Sequence, residues 1–188
     1  MNSKTTTMKK KVMYLALVAL SFFAYSCSTK NDPTPTNVTY KFTVNGTTYT
    51  QTAAADSTTS LSGGTKNLNA LGVTGQSADK SAQAAIIFFW AGTAKPKAGT
   101  YTVVGDATTI GAGQVAALVI DKVTVAKQGF YGTTGLDGTS ITVAVSASGK
   151  ISVTIPSIAI KGSNFDNTDP KNTVVTDVTG SISGSAGE

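Results

Sequence analysis

The side chains available for chemistry are few. The chain has no His, all 15 of its basic residues are Lys, its ten acids are nine Asp and Glu188, and Cys27 is its one thiol. Without His no side chain titrates near neutrality by default, no Ser-His or Cys-His pair can activate a nucleophile, and no imidazole is available for zinc, copper or non-haem iron. Without Arg there is no bidentate fork for a phosphate or a guanine edge. The remaining catalytic reading is a hydrolase or lyase built from Asp, Lys or Tyr alone. The leading expectation is a non-catalytic binding or structural domain, with no catalytic residue, no metal and no cofactor assigned.

Four local patterns have residue types that could carry chemistry. Ser77-Ala78-Asp79-Lys80 has the Ser-x-x-Lys spacing of penicillin-recognising enzymes, but no Ser-Asp-Asn or Lys-Thr-Gly follows it, and its polar surroundings read as a loop. Gly111-Ala112-Gly113 lacks the third glycine and the strand-helix setting of a dinucleotide fingerprint, so it reads as a turn. The run from Asn164 to Pro170 collects oxygen ligands suited to a hard cation, without EF-hand spacing. Asn and Asp are also the usual turn formers, and a plain turn is the expectation there. The aromatics Phe130, Tyr131 and Phe165 stand beside Gly, Asn and Asp. Placed in loops at the ends of a β-domain they would be exposed, where flat rings with polar neighbours stack on sugars. These three residues are the candidate ligand-binding positions. By contrast Tyr40, Phe42, Phe88 and Trp90 alternate along strands and are expected in the core.

The N-terminal segment has a different purpose. Lys9, Lys10 and Lys11 precede a charge-free apolar run from Val12 to Tyr25, too short to span a bilayer as a helix but suited to a signal-peptide core. Met8 fits as the start of that segment. The run ends in Phe23-Ala24-Tyr25-Ser26-Cys27, with small residues one and three positions before the only cysteine. This arrangement resembles bacterial lipoprotein signal peptides, which implies cleavage after residue 26 and acylation of Cys27. Several acyl chains, each adding about 0.8 kcal/mol per buried CH₂, would hold such a protein on a membrane. Residues 27–188 keep 11 Lys against 10 acids, so the sequence pI of about 9.3 belongs largely to the signal. No basic stripe remains for nucleic acid.

Residues 28–37, Ser-Thr-Lys-Asn-Asp-Pro-Thr-Pro-Thr-Asn, have two prolines and nothing apolar to bury, and read as a flexible tether. Residues 38–188 form a single domain, large enough to bury about 70% of its unfolded surface without disulfides or metals. This part is rich in Thr, Val, Ser, Ala and Gly, a composition that favours strands. Val38, Tyr40, Phe42 and Val44 alternate with polar residues, and Asn45-Gly46 offers a tight primed turn into a strand over Thr47 to Thr52. Short strands are expected at Ser60 to Ser62, Asn67 to Thr74 and Thr100 to Val104; Ser77 to Ala84 is a loop or a short helix. Ala85 to Ala91 reads as a central strand covered on both faces. Gln114 to Lys127 has room for two strands broken at Asp121-Lys122. Ile141, Val143 and Val145 pair with Ile151, Val153 and Ile155 in a hairpin, Pro156 marks a bulge or strand end, and Val174 to Ile182 closes the domain. About nine short strands predict an all-β antiparallel sandwich, with a β-barrel as the alternative.

Phe42-Thr43-Val44-Asn45-Gly46, Gly99-Thr100-Tyr101 and Gly138-Thr139-Ser140-Ile141-Thr142-Val143, following a lipoprotein signal and tether, resemble small envelope lipoproteins of uncharacterised function from the Bacteroidota. The resemblance implies a surface or periplasmic β-domain; the expected location is the outer membrane, held by the N-terminal lipid, and the expected partner a glycan or an envelope protein. It supplies no catalytic residues. Asp56-Ser57-Thr58 also resembles the three-residue O-glycosylation signal of that phylum, whereas Lys30-Asn31-Asp32 matches its acidic surface-export signals poorly.

Overall fold

The fold is described from a computed structural model for residues 38–60, 67–121, 126–136, 138–169 and 172–188. The signal segment, Cys27, the tether, residues 61 and 62, Lys122 and Pro170 lie outside the described residues. The first strands follow from the alternation at the start of the domain. β1 (Lys41–Val44) buries Phe42 and Val44 and turns into β2 (Thr47–Ser60) through Asn45 and Gly46, both at positive φ (49° and 83°). Two positive φ values in succession define the primed turn whose twist matches that of the flanking strands. β2 runs far beyond the expected Thr52. A register shift between Gln51 and Ala53 changes which residues face inward, and the Ala, Thr and Ser that follow carry no apolar alternation to reveal a strand.

Eight more strands follow: β3 (Asn67–Ser77), β4 (Gln83–Ala91), β5 (Gly99–Val103), β6 (Gln114–Asp121), β7 (Lys127–Thr133), β8 (Ser140–Val145), β9 (Ile151–Asp166) and β10 (Val174–Gly187). The ambiguous stretch after β3 is a tight turn, in which Lys80 adopts φ 60° and its N–H donates to the Ser77 carbonyl at 2.9 Å. β8 and β9 pair as a hairpin with Val145 opposite Ile151. Pro156 lies within β9, at the register shift where Ile155 faces Gly184 and Ile158 faces Ile182. The strand bulges there and continues, because the extra residue restores the apolar parity for Ile158 and Ile160.

Among the described residues the architecture is all-β, with ten strands in one sheet that closes on itself. β1 pairs with β10, β10 with β9, and the chain of pairings β1-β2-β3-β4-β6 completes most of the circuit. Between β6 and β9 the wall has two tiers. At one end β7 bridges Leu118–Asp121 of β6 and Ile160–Asp166 of β9; at the other, β5 and β8 fill the same gap. The strands of the ring are not evenly distributed round an axis. One pairing departs from the antiparallel expectation: Thr102 and Val103 of β5 run parallel to Gln114 and Val115 of β6. The connection between them crosses over through a 3-10 turn at Ala107–Thr109, bringing the chain back in the same direction.

Phe42, Val44, Tyr49, Leu71, Ile86, Phe88, Trp90, Val119, Ile141, Val153, Ile158 and Ile182 belong to one buried core cluster. Tyr40 is only half-buried, since it precedes β1. β4 is buried on both faces, with Ile86, Phe88 and Trp90 inward and Ile87 and Phe89 on the other side. This is the central strand that its uninterrupted apolar run required.

Candidate functional site

The end of the ring bridged by β7 contains a cavity of about 670 Å³. It opens there because β1 pairs with β10 only over Phe42–Val44, opposite Ile182–Gly184, while β9 and β10 continue together as far as Asp166 and Val174. The extended β9-β10 hairpin makes one wall, β6 and β7 another, and the Asn45 turn a third.

Asp121 is the last residue of β6 and is 2% exposed. It faces inward, opposite Gly129 of β7 and Ala84 of β4. Tyr49 Oη donates to its Oδ1 at 2.5 Å, and Asn45 Nδ2 donates to its Oδ2 at 3.4 Å. Asn45 is itself held by the Ser181 N–H, which donates to its Oδ1 at 3.2 Å. Tyr131 is 3% exposed and donates to Asn164 Oδ1 at 2.5 Å. At the rim Lys127 pairs with Asp166 at 3.2 Å, and Val174, Thr176 and Val178 of β10 complete the lining.

Burial, reinforced by the hydrogen bond to Asp121, pushes the Tyr49 hydroxyl well above the ordinary phenol range. Burial and then the Asp121 charge push Tyr131 in the same direction. Both phenols are therefore protonated donors at physiological pH. Asp166 is lowered to about 2 by the Thr168 hydroxyl and amide first and by Lys127 after them. It is a permanent anion near neutrality. The described lining contains two carboxylates, Asp121 and Asp166, against one ammonium, Lys127.

The three aromatic positions separate in the structure. Phe130 and Phe165 form an edge-to-face pair, with ring centroids 5.5 Å apart and planes at 83°. Both are half-buried on the outward side of β7 and β9. Tyr131, expected beside them in an exposed loop, lies in β7 and points into the ring, because adjacent residues of a strand face opposite ways. Gly129 and Gly132 suggested a loop; instead Gly129 leaves room for the Tyr131 ring, which a Cβ at that position would meet. Phe165 also borders the cavity and is likewise in a strand, at the end of β9, not in the Asn/Asp loop after it.

Comparison with protein-family models, with curated proteins and with solved structures finds no match to this chain. The remaining sequence patterns resolve locally. Ser77 Oγ donates to Asp79 at 2.6 Å and receives the Ala82 N–H at 3.0 Å, so its partners are those of a turn, and the segment is not the helical turn that Ser-x-x-Lys chemistry needs. In the run after Asn164, Asp166 holds the Thr168 N–H at 2.9 Å and Asn167 accepts from Thr173 at 2.8 Å, which is turn chemistry. Among the described residues no three acids or thiols gather as a metal site. Asp56-Ser57-Thr58 lies in β2, with Asp56 paired to Lys95 at 3.3 Å.

Sequence reasoning missed Asn45, Tyr49 and Asp121 as a group, since they come from three separate elements. One signal was available: Asp121 ends a run, Val115 to Ile120, in which every residue is apolar and buried.

Proposed function

We propose that this chain is an extracytoplasmic lipoprotein, anchored to the outer membrane through acylated Cys27, whose β-domain binds a small polar ligand at the open end of the ring. The resemblance to Bacteroidota envelope lipoproteins supports the anchor and the location. The cavity carries the binding reading: its volume of about 670 Å³ lies within the roughly 300–1,000 Å³ typical of small-molecule sites. Its polar groups, Asn45, Asp121, Tyr131, Asn164 and Thr176, converge from five different elements of the fold. A glycan, free or on an envelope protein, has the hydroxyl groups such a lining can bond. Phe130 and Phe165 offer a neighbouring apolar surface on the outside of the same strands.

A hydrolase using Asp and Tyr has one observation in its favour, the presence of Asp121 and Asp166 in one cavity. It is the weaker reading. Acid-base work by two carboxyls needs one to hold a proton while the other is ionised, and Asp166, lowered to about 2, can serve only as the ionised member. The phenols are shifted away from the anionic form that a nucleophile requires.

Two measurements test the proposal. Metabolic labelling with radioactive palmitate followed by membrane fractionation should give a labelled, membrane-bound protein, and Cys27→Ser should abolish both label and retention. A glycan array probed with the soluble Cys27→Ser chain should give signals that Asn164→Ala, introduced at the cavity wall, weakens. Absence of signal from both proteins retires glycan binding.

A further inference from the structure

The cavity contains a buried carboxylate whose partners are all neutral. Asp121 belongs to none of the ion pairs Lys95–Asp56, Lys95–Glu188 and Lys127–Asp166. Its donors are a phenol and, at 3.4 Å, a primary amide. A carboxylate has about four acceptor positions, and these two contacts leave part of that capacity unused. Removing such a group from water is costly unless a charge or strong donors replace the lost hydration. Lys127 pairs with Asp166 at the solvent-exposed edge of the cavity. Asp121 thus lines the cavity with Tyr49 on one oxygen and, by a longer contact, Asn45 on the other.

We infer that the cavity ligand carries an ammonium group, which docks on Asp121, while its hydroxyl groups bond Asn45, Asn164 and Thr176. This rests on the binding reading above and narrows it to a hydroxylated amine of the size of a monosaccharide, an amino sugar being the simplest member of the class. Discrimination should be large, since a neutral analogue leaves the buried carboxylate uncompensated, whereas an ammonium forms a charge-assisted hydrogen bond in a partly desolvated site.

The experiment is a calorimetric titration of the soluble Cys27→Ser chain with glucosamine, N-acetylglucosamine and glucose at pH 6, where the free amine is protonated. Glucosamine should bind at least tenfold more tightly than either neutral sugar, and Asp121→Asn should reduce its affinity to theirs. The wild-type ligand series decides the matter even if Asp121→Asn does not fold. Equal affinity for all three sugars would overturn the ammonium inference and leave the cavity as a binding site. Binding of none of them would overturn the inference as well, and a glycan-array signal that Asn164→Ala weakens would then show that the broader reading survives without it.

Discussion

Tyr49 Oη and Asp121 Oδ1 lie 2.5 Å apart although 72 positions separate the two residues in the chain. The bond links β2 to β6 across the interior of the ring, past the two strands that stand between them in the sheet. It fixes the rotamer of the one acid buried at the cavity and puts a neutral donor where an unpartnered carboxylate oxygen would otherwise face the core.

Tyr49→Phe deletes that donor and keeps the ring. The variant should lose about 1–3 kcal/mol, the usual penalty for leaving a buried acceptor unsatisfied, measured as a lower urea midpoint at unchanged slope. The wild-type phenol is raised in the folded state, so its stability contribution is complete below the unfolded value near 10. Stability should decline as pH rises above that value, because unfolding then releases a proton. A Tyr49→Phe variant whose alkaline stability profile matches wild type would contradict this account.

Gly162 faces Tyr131 across the β7-β9 ladder, and a Cβ on it would collide with the Phe130 carbonyl and, at 2.6 Å, with the Tyr131 Cα. The obstruction is backbone, which cannot rotate aside. Gly162→Ala should therefore cost about 3 kcal/mol, at the upper end of overpacking penalties, and should raise amide exchange rates in β7. An alanine variant with wild-type stability would mean that the two strands are not so closely apposed.

Asn69 sits opposite Trp90 with its Oδ1 buried and without a hydrogen-bond partner, and its Nδ2 reaches the Ser57 carbonyl only at 3.4 Å. A buried amide oxygen without a partner costs desolvation free energy that an apolar side chain does not, and the 3.4 Å contact to Ser57 offsets little of it. Asn69→Leu should raise the thermal midpoint by about 2–4 °C, the shift that corresponds to 1 kcal/mol in a domain of this size. A fall in the midpoint would show that the amide is better bonded than the geometry indicates.

Asp79 is lowered from 3.8 to about 2 by the hydroxyl of Ser77 first, then by the hydroxyl and amide of Ser81. Its contribution to the turn is present above pH 3.8 and is lost as pH falls through about 2. A carbon-detected carboxyl titration should place its midpoint in that acid range, and Ser77→Ala should move it upward. An unchanged midpoint in the variant would remove Ser77 as the cause.

The sequence by itself determined the class of fold and most of its strands, since period-two burial and turn chemistry are local properties. Phe42 and Val44 with Asn45-Gly46, the apolar run of β4, and the parity change at Pro156 were all legible in that way. Two kinds of feature were not. Gly129 and Gly132 read as loop because the spacing of a glycine does not say whether it allows a turn or makes room for a neighbouring strand; only the Tyr131 ring over Gly129 distinguishes the two. The cavity was likewise hidden, because Asn45, Tyr49, Asp121, Tyr131 and Asn164 meet only when β1 pairs with β10 and β7 bridges β6 to β9. Ring closure depends on contacts between residues far apart in the chain, and such contacts leave no pattern at short spacing.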